Sequence, residues 1–250
     1  MAASVLLGGC SSSASEHTHD HGHAHPRVVA TTTWEAAFAK AAGAEEVKVI
    51  VPPSVHHAPD YDPKPSDLTA VAEADFVLYA PFEPFAAKIE EAAGSKAELI
   101  EVDLDNSAEK VKAQVQALGQ RFGTSAAAQA WTATFSTEYE KLSGDVRSAW
   151  PGGTQPTAVA QVFSTWAADL AGARILGTYG PEAVTPGQLV ELAAKKPQFV
   201  LDNAHMSTGT VLPDADVKQV PIVNYPSQDE DLLSVYRDAA TTLKKALSGA

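Results

Sequence analysis

The feature that most constrains this chain is a regular alternation of short apolar or β-branched runs with helical stretches, interrupted once by a long helical insert. Arg27-Val28-Val29-Ala30-Thr31-Thr32-Thr33, Val47-Lys48-Val49-Ile50-Val51, Phe76-Val77-Leu78-Tyr79 and Glu98-Leu99-Ile100-Glu101-Val102 read as strands. Between them Trp34 to Ala42, Ser66 to Ala72 and Phe85 to Ala93 read as helices, the first and last stopped by Gly43 and Gly94. Parallel neighbours need a crossover, and the crossover helix covers a sheet face, so this alternation predicts parallel sheets flanked by helices. Ala108 to Phe122 and Ala126 to about Val146 are then helical with no strand between them. In the second, Trp131, Phe135, Tyr139 and Leu142 recur at three- and four-residue steps, the mark of a core stripe. After Pro151-Gly152-Gly153 a second set begins, with strands near Thr157–Ala160, Arg174–Gly177, Phe199–Asp202 and Val220–Val223. A closing helix runs from Asp231 to Leu247. The expected fold class is α/β: a first lobe over 27–125, a long rigid linking helix over 126–150, and a second lobe over 151–250.

Composition removes several functions. With 250 residues and 45% apolar content the chain can bury a sizeable core. Its 31 acidic against 18 basic residues give a net charge of -13, which repels phosphate and argues against a nucleic-acid partner. The single cysteine, Cys10, excludes an internal disulfide and a four-cysteine zinc site. Cys10 ends the run Val5-Leu6-Leu7-Gly8-Gly9, which resembles a bacterial lipobox, and Ser11-Ser12-Ser13-Ala14-Ser15 follows as a flexible tether. Residues 1–10 are therefore expected to be a signal remnant with a lipid on Cys10. Met1-Ala2-Ala3-Ser4 lacks the Lys or Arg that opens a signal peptide, so the true start is expected upstream. No later stretch approaches the ~20 apolar residues of a membrane span. The body is expected outside the cytoplasm, anchored by lipid at the cell membrane.

Five of the 8 histidines, His17, His19, His21, His23 and His25, alternate with small or acidic residues inside the tail 11–26. Imidazole nitrogen suits zinc, copper, nickel and iron, so this segment is expected to be an auxiliary metal collector of loose geometry. The other three, His56, His57 and His205, all lie just beyond apolar strands, where open α/β sheets bind ligands.

The loop after the second strand carries Pro52-Pro53, His57, Tyr61, Asp62-Pro63 and Pro65-Ser66-Asp67. With Ala74 to Tyr79 followed by Glu83, with Val200-Leu201-Asp202-Asn203 and His205, and with Ile222-Val223-Asn224-Tyr225-Pro226, the chain resembles the metal-binding solute-binding proteins of bacterial zinc and manganese ABC importers. The likeness covers about Arg27 to Leu247. It implies two α/β lobes joined by a rigid helix, an ion in the cleft between them, an ABC permease as partner, action as a monomer, and no enzymatic activity. With the resemblance, His57 and His205 are the expected ligands; Glu83 is next, since Tyr79-Ala80-Pro81-Phe82-Glu83 also leaves a strand end, and Asp202 is expected to ligate or to orient His205. The pattern departs from the family's in three places. Pro59 stands where the ligand His normally precedes the Tyr by two, which makes His56 a rival to His57. Asp103-Leu104-Asp105-Asn106 replaces a His-x-Trp motif, and Gln161 stands where the second lobe's first helix usually begins with His, which makes its neutral amide oxygen a weak candidate ligand.

Two imidazoles and a carboxylate suit Zn2+, whereas Mn2+, the alternative, prefers more oxygen. A surface protein that sequesters metal or adheres, without transport, carries the same signature. A zinc hydrolase is the weaker reading, because neither a His-Glu-x-x-His helix nor a Gly-x-Ser-x-Gly elbow occurs. Replacing the five tail histidines by alanine should lower the zinc stoichiometry of the purified protein while leaving its tightest binding intact. Metal analysis after dialysis measures this, and loss of all tight binding would place the specific site in the tail.

Overall fold

The computed structural model describes residues 25–52, 54–55, 60–207, 209–213, 217–226 and 229–249. Cys10, His17, His19, His21, His23, His56 and His57 lie outside them. Two four-stranded sheets stand in chain order. The first contains β1 (Val28–Ala30), β2 (Val47–Val49), β3 (Phe76–Tyr79) and β4 (Glu98–Glu101), in the order β2-β1-β3-β4. The second contains β5 (Thr157–Gln161), β6 (Arg174–Tyr179), β7 (Phe199–Asn203) and β8 (Lys218–Ile222), in the order β6-β5-β7-β8. Every strand pair is parallel. Central β1, β3 and β7 are buried along their whole length, as a parallel strand covered on both faces must be. The α/β class and the two-lobe architecture read from the sequence are those observed.

Helices α1 (Thr33–Ala41), α2 (Pro65–Glu73) and α3 (Ala86–Ala93) belong to the first lobe. Helices α6 (Thr165–Ala171), α7 (Pro186–Ala194) and α8 (Leu232–Ser248) belong to the second. Between the lobes lie α4 (Ala108–Phe122) and α5 (Ser125–Arg147). Their hairpin closes tightly, since a Cβ on Gly119 would lie 2.4 Å from that of Ala128. At ~1.5 Å per residue, the 23 residues of α5 span about 35 Å, long enough to pass along both lobes. Among the described residues no helix is long and apolar enough to cross a membrane.

Some element ends differ from the sequence reading, each for a local reason. Helix α2 begins at Pro65, because Asp67 reaches back to accept the Lys64 N–H at 2.9 Å and also holds the Tyr61 hydroxyl at 2.7 Å. Strand β5 extends to Gln161 and is followed by a 3-10 turn, Val162–Ser164, ahead of α6. The Gln161 side-chain oxygen accepts the Phe163 N–H at 2.7 Å and so forms the cap of that turn.

The stripe on α5 is core. Phe135 is fully buried, stacks on Trp131 at 5.1 Å and meets the edge of Tyr236 on α8 at 5.0 Å. Tyr139 and Trp166 complete the cluster around Tyr236, at 5.8 and 5.2 Å. A buried hydrogen-bond chain leaves the same residue. The Tyr236 hydroxyl donates to the Asn106 carbonyl at 2.7 Å, and Asn106 Nδ2 donates to the Asn224 carbonyl at 2.6 Å. Trp166 Nε1 closes the chain on Asn224 Oδ1 at 2.9 Å. Thr33 Oγ1, donating to the Pro226 carbonyl at 3.0 Å, and the Lys40–Glu230 ion pair add links between the lobes. Tyr236→Phe leaves the buried Asn106 carbonyl without its donor and should cost about 1–3 kcal/mol in urea unfolding. Tyr236→Ala also empties the aromatic cluster and should cost about 3–5 kcal/mol.

Candidate metal-binding cleft

In each sheet the first strand has one neighbour added on either side, so the direction of winding reverses between β1 and β3, and again between β5 and β7. Helices leave opposite faces of the sheet there, which opens a crevice at the strands' carboxyl ends. In the first lobe that position belongs to Thr31–Glu35 and Ala80–Glu83. In the second it belongs to Gln161 and Asn203–His205. The Asn106–Asn224 and Thr33–Pro226 bonds join residues beyond β4, β1 and β8, so the carboxyl edges of the two sheets meet.

His205 is set by its surroundings. The chain turns after β7, with the His205 N–H donated to Asn203 Oδ1 at 3.0 Å in an Asx turn. The Tyr225 hydroxyl lies 2.7 Å from Nδ1, and the two rings stack with centroids 3.8 Å apart. Although the residue is exposed, partial desolvation of its ring holds the imidazole pKa below its ordinary value, so the neutral ligand form prevails. With Nδ1 engaged, Nε2 is the nitrogen left for a ligand. Tyr225 also contacts Trp34 of α1, with ring centroids 5.8 Å apart, so it touches aromatic rings from both lobes.

Asp202 is buried, and both oxygens are taken: Oδ1 accepts from the Tyr179 hydroxyl at 2.7 Å, Oδ2 from Ser207 Oγ at 2.6 Å and Gln219 Nε2 at 2.9 Å. It thereby ties the 203–207 turn to β6 and β8. Gln161 is buried with its oxygen committed to Phe163 and its Nε2 without a partner. Glu83 is buried, accepts the Ala80 N–H at 3.1 Å, and faces Glu35. Burial first and the Glu35 charge second push its pKa up to about 8. Glu35 is also fully buried, and burial raises its pKa. It survives there because it closes the capping box of α1, accepting the Thr32 N–H at 3.1 Å and the Thr32 hydroxyl at the positive end of the helix dipole.

Among the described residues no three His, Cys, Asp or Glu side chains gather closely enough to hold a metal. Glu83 stands with Glu35, Asp202 with Tyr179 and Ser207, and His205 with Tyr225, so these three are not brought together as one ligand set. His25 lies away in an exposed ion pair with Glu45 at 3.3 Å. Three residues beside these groups, Glu35, Trp34 and Tyr225, were given no part in the site by the sequence reading. Thr32-Thr33-Trp34-Glu35 does carry the capping-box spacing, which locates Glu35 on α1 but not its burial against Glu83.

Residues 28–121, most of the first lobe, match the model of the family described as zinc-uptake complex component A, periplasmic. No curated protein matches the chain. Among solved structures it is similar to a zinc-bound deletion mutant of ZnuA, with a TM-score of 0.67 and 17% identity, covering 90% of this chain and 98% of that one. It is also similar to the laminin-binding protein of Streptococcus agalactiae, described as bifunctional with adhesin and metal-transporting activity, at 0.67 and 16%, covering 89% and 99%. A third is the solute-binding protein FpvC of Pseudomonas aeruginosa in complex with Mn2+, at 0.64 and 14%, covering 90% and 99%. The first lobe thus matches the family model by sequence, and the whole chain shares the fold of these three solved structures.

A raised carboxylate pKa means that the native state holds the proton more tightly than the unfolded chain does. The stability Glu83 contributes is full below its ordinary 4.5 and is lost as pH rises toward about 8. Glu83→Gln should therefore flatten the decline of the melting temperature between pH 5 and pH 8 in metal-free protein. An unchanged slope would show that Glu83 is not held protonated.

Proposed function

We propose that this chain captures a divalent transition metal, zinc in the first instance, in the cleft between its lobes and passes it to the permease of an ABC importer. The observation that carries this reading is His205: a neutral imidazole on the interlobe edge, fixed through Nδ1 by Tyr225, with Nε2 left to ligate. The first-lobe family match and the shared fold support it. His57 is the proposed ligand from the first lobe, on the loop that resembles the family's ligand loop. Zinc is preferred over manganese because the proposed ligands are imidazoles, although relatives of this fold are described with either ion. Cys10 would carry the lipid that keeps the protein outside the cytoplasm at the membrane surface, and the tail histidines would collect metal beside it.

A second reading is a surface protein that sequesters metal or adheres without a transport role; its adhesin part is supported by the description of the laminin-binding structure, which is described as transporting metal as well. Deletion of the gene separates the two, since only the transport reading expects growth to fail at low zinc.

His205→Ala and His57→Ala should each remove tight zinc binding in competition with a chromogenic chelator. Tyr225→Phe, which only loosens the imidazole, should weaken binding by about 10- to 100-fold. Full affinity in the His57→Ala, His205→Ala double variant, with the tail histidines also replaced, would overturn the assignment.

A further inference from the structure

Three consecutive residues just beyond β8, Asn224, Tyr225 and Pro226, belong by chain order to the second lobe and are held one by one from the first. Asn106, beyond β4, donates Nδ2 to the Asn224 carbonyl at 2.6 Å. Trp34 of α1 packs its ring on that of Tyr225, with centroids 5.8 Å apart and planes inclined at 36°. Thr33, its neighbour on α1, donates Oγ1 to the Pro226 carbonyl at 3.0 Å. Asn224 and Pro226 are buried, so both carbonyl bonds lie out of water, where the loss of a donor is costly.

The start of α1 moves with the first sheet. The Thr31 N–H is donated to the Leu78 carbonyl of β3 at 3.0 Å, and the capping box fixes the next turn, with the Thr32 N–H on Glu35 at 3.1 Å. Thr33 and Trp34 therefore report the position of the first lobe. What they hold is the residue that orients His205. Among the described residues Tyr225 alone bonds to or stacks on the imidazole, its hydroxyl 2.7 Å from Nδ1 and its ring 3.8 Å away. The second lobe's own hold on His205 is on its backbone, through Asn203 Oδ1 at 3.0 Å.

We propose that Thr33 and Trp34 are positioning residues for His205, acting through Tyr225, so that zinc is held tightly only while the first lobe keeps its grip on Asn224-Tyr225-Pro226. The inference rests on the metal-carrying reading above. A shift of the first lobe that drags this segment turns Tyr225 from the imidazole, frees Nδ1 and spoils the aim of Nε2. Release then needs only a change in the angle between the lobes. The coupling is reciprocal: zinc on His205 favours the lobe arrangement that keeps Tyr225 in place.

The test uses the full chain with its five tail histidines replaced by alanine and reads zinc affinity by competition with a chromogenic chelator. Trp34→Ala should weaken binding by about tenfold, the low end of the effect of losing an outer partner of a ligating histidine. Trp34→Phe, which keeps a ring against Tyr225, should restore most of that loss. Thr33→Val, close in shape and lacking only the donor, should weaken binding by less. In metal-free protein the nitrogen-15 shifts of the His205 ring should move in Trp34→Ala in the same sense as in Tyr225→Phe. With Tyr225→Ala already in place, Trp34→Ala should cost no further affinity, because the relay has lost its middle ring. Thr33→Val carries the same cycle if Trp34→Ala does not fold in urea titration. Losses that add in the double variant, or full zinc affinity in Trp34→Ala and Thr33→Val, would overturn the relay. If His205→Ala loses tight zinc binding in the same assay and Trp34→Ala does not, the relay falls and the metal site stands; if His205→Ala retains it, both fall.

Discussion

A buried polar chain, beside the Thr33–Pro226 bond and the Lys40–Glu230 pair, ties the two lobes of this protein together. Tyr236 donates to the Asn106 carbonyl, Asn106 to the Asn224 carbonyl, and Trp166 to the Asn224 side chain. Each bond lies in a low-dielectric interior, where a satisfied network is rigid and a broken one is expensive. Asn106 lies beyond the last strand of the first sheet and Asn224 just beyond the last strand of the second. The chain therefore joins the carboxyl edges of the two sheets and sets the gap between them. The aromatic cluster around Tyr236 backs it with apolar area from α5, α6 and α8.

With the edges facing, the repeated winding does the rest. Each sheet reverses direction at its first strand, and each reversal opens a crevice. The residues delivered there differ in kind between the lobes. The first contributes a buried carboxylate pair, Glu35 and Glu83, whose mutual repulsion and burial favour the protonated acid. The second contributes an imidazole oriented by a tyrosine and an amide oriented by the backbone of its own turn. The cleft is thus poorer in anionic ligands than its count of acidic residues suggests, because Asp202 and Glu83 are engaged in holding the fold.

Much of the architecture was legible in the chain. β-branched runs separated by capped helices force a parallel sheet, and the three- and four-residue spacing of Trp131, Phe135, Tyr139 and Leu142 marks a buried stripe. These patterns are local, and the physics that enforces them acts over one or two turns. Candidate residues such as Glu83, Asp202 and His205 were also legible as strand exits. Their partners were not. Tyr179 and Ser207 on Asp202, Glu35 on Glu83 and Tyr225 on His205 lie five to forty-eight positions away along the chain, and residue spacing carries no record of which side chains close on each other.

What the sequence determined by itself is the α/β alternation, the long intervening helix, the acidic surface and the family resemblance of the first-lobe loop, because each follows from short-range propensity, charge or local motif. What only the tertiary structure decided is the state of the functional groups. A carboxylate is acid or anion according to its burial, an imidazole is free at one nitrogen or both according to its neighbour, and an amide presents oxygen or nitrogen according to which end is already bonded. Gln161 shows the division most sharply. In sequence it is a weak oxygen ligand in a histidine's place; in the fold its oxygen is spent on the Phe163 N–H, and what it turns toward its surroundings is a donor.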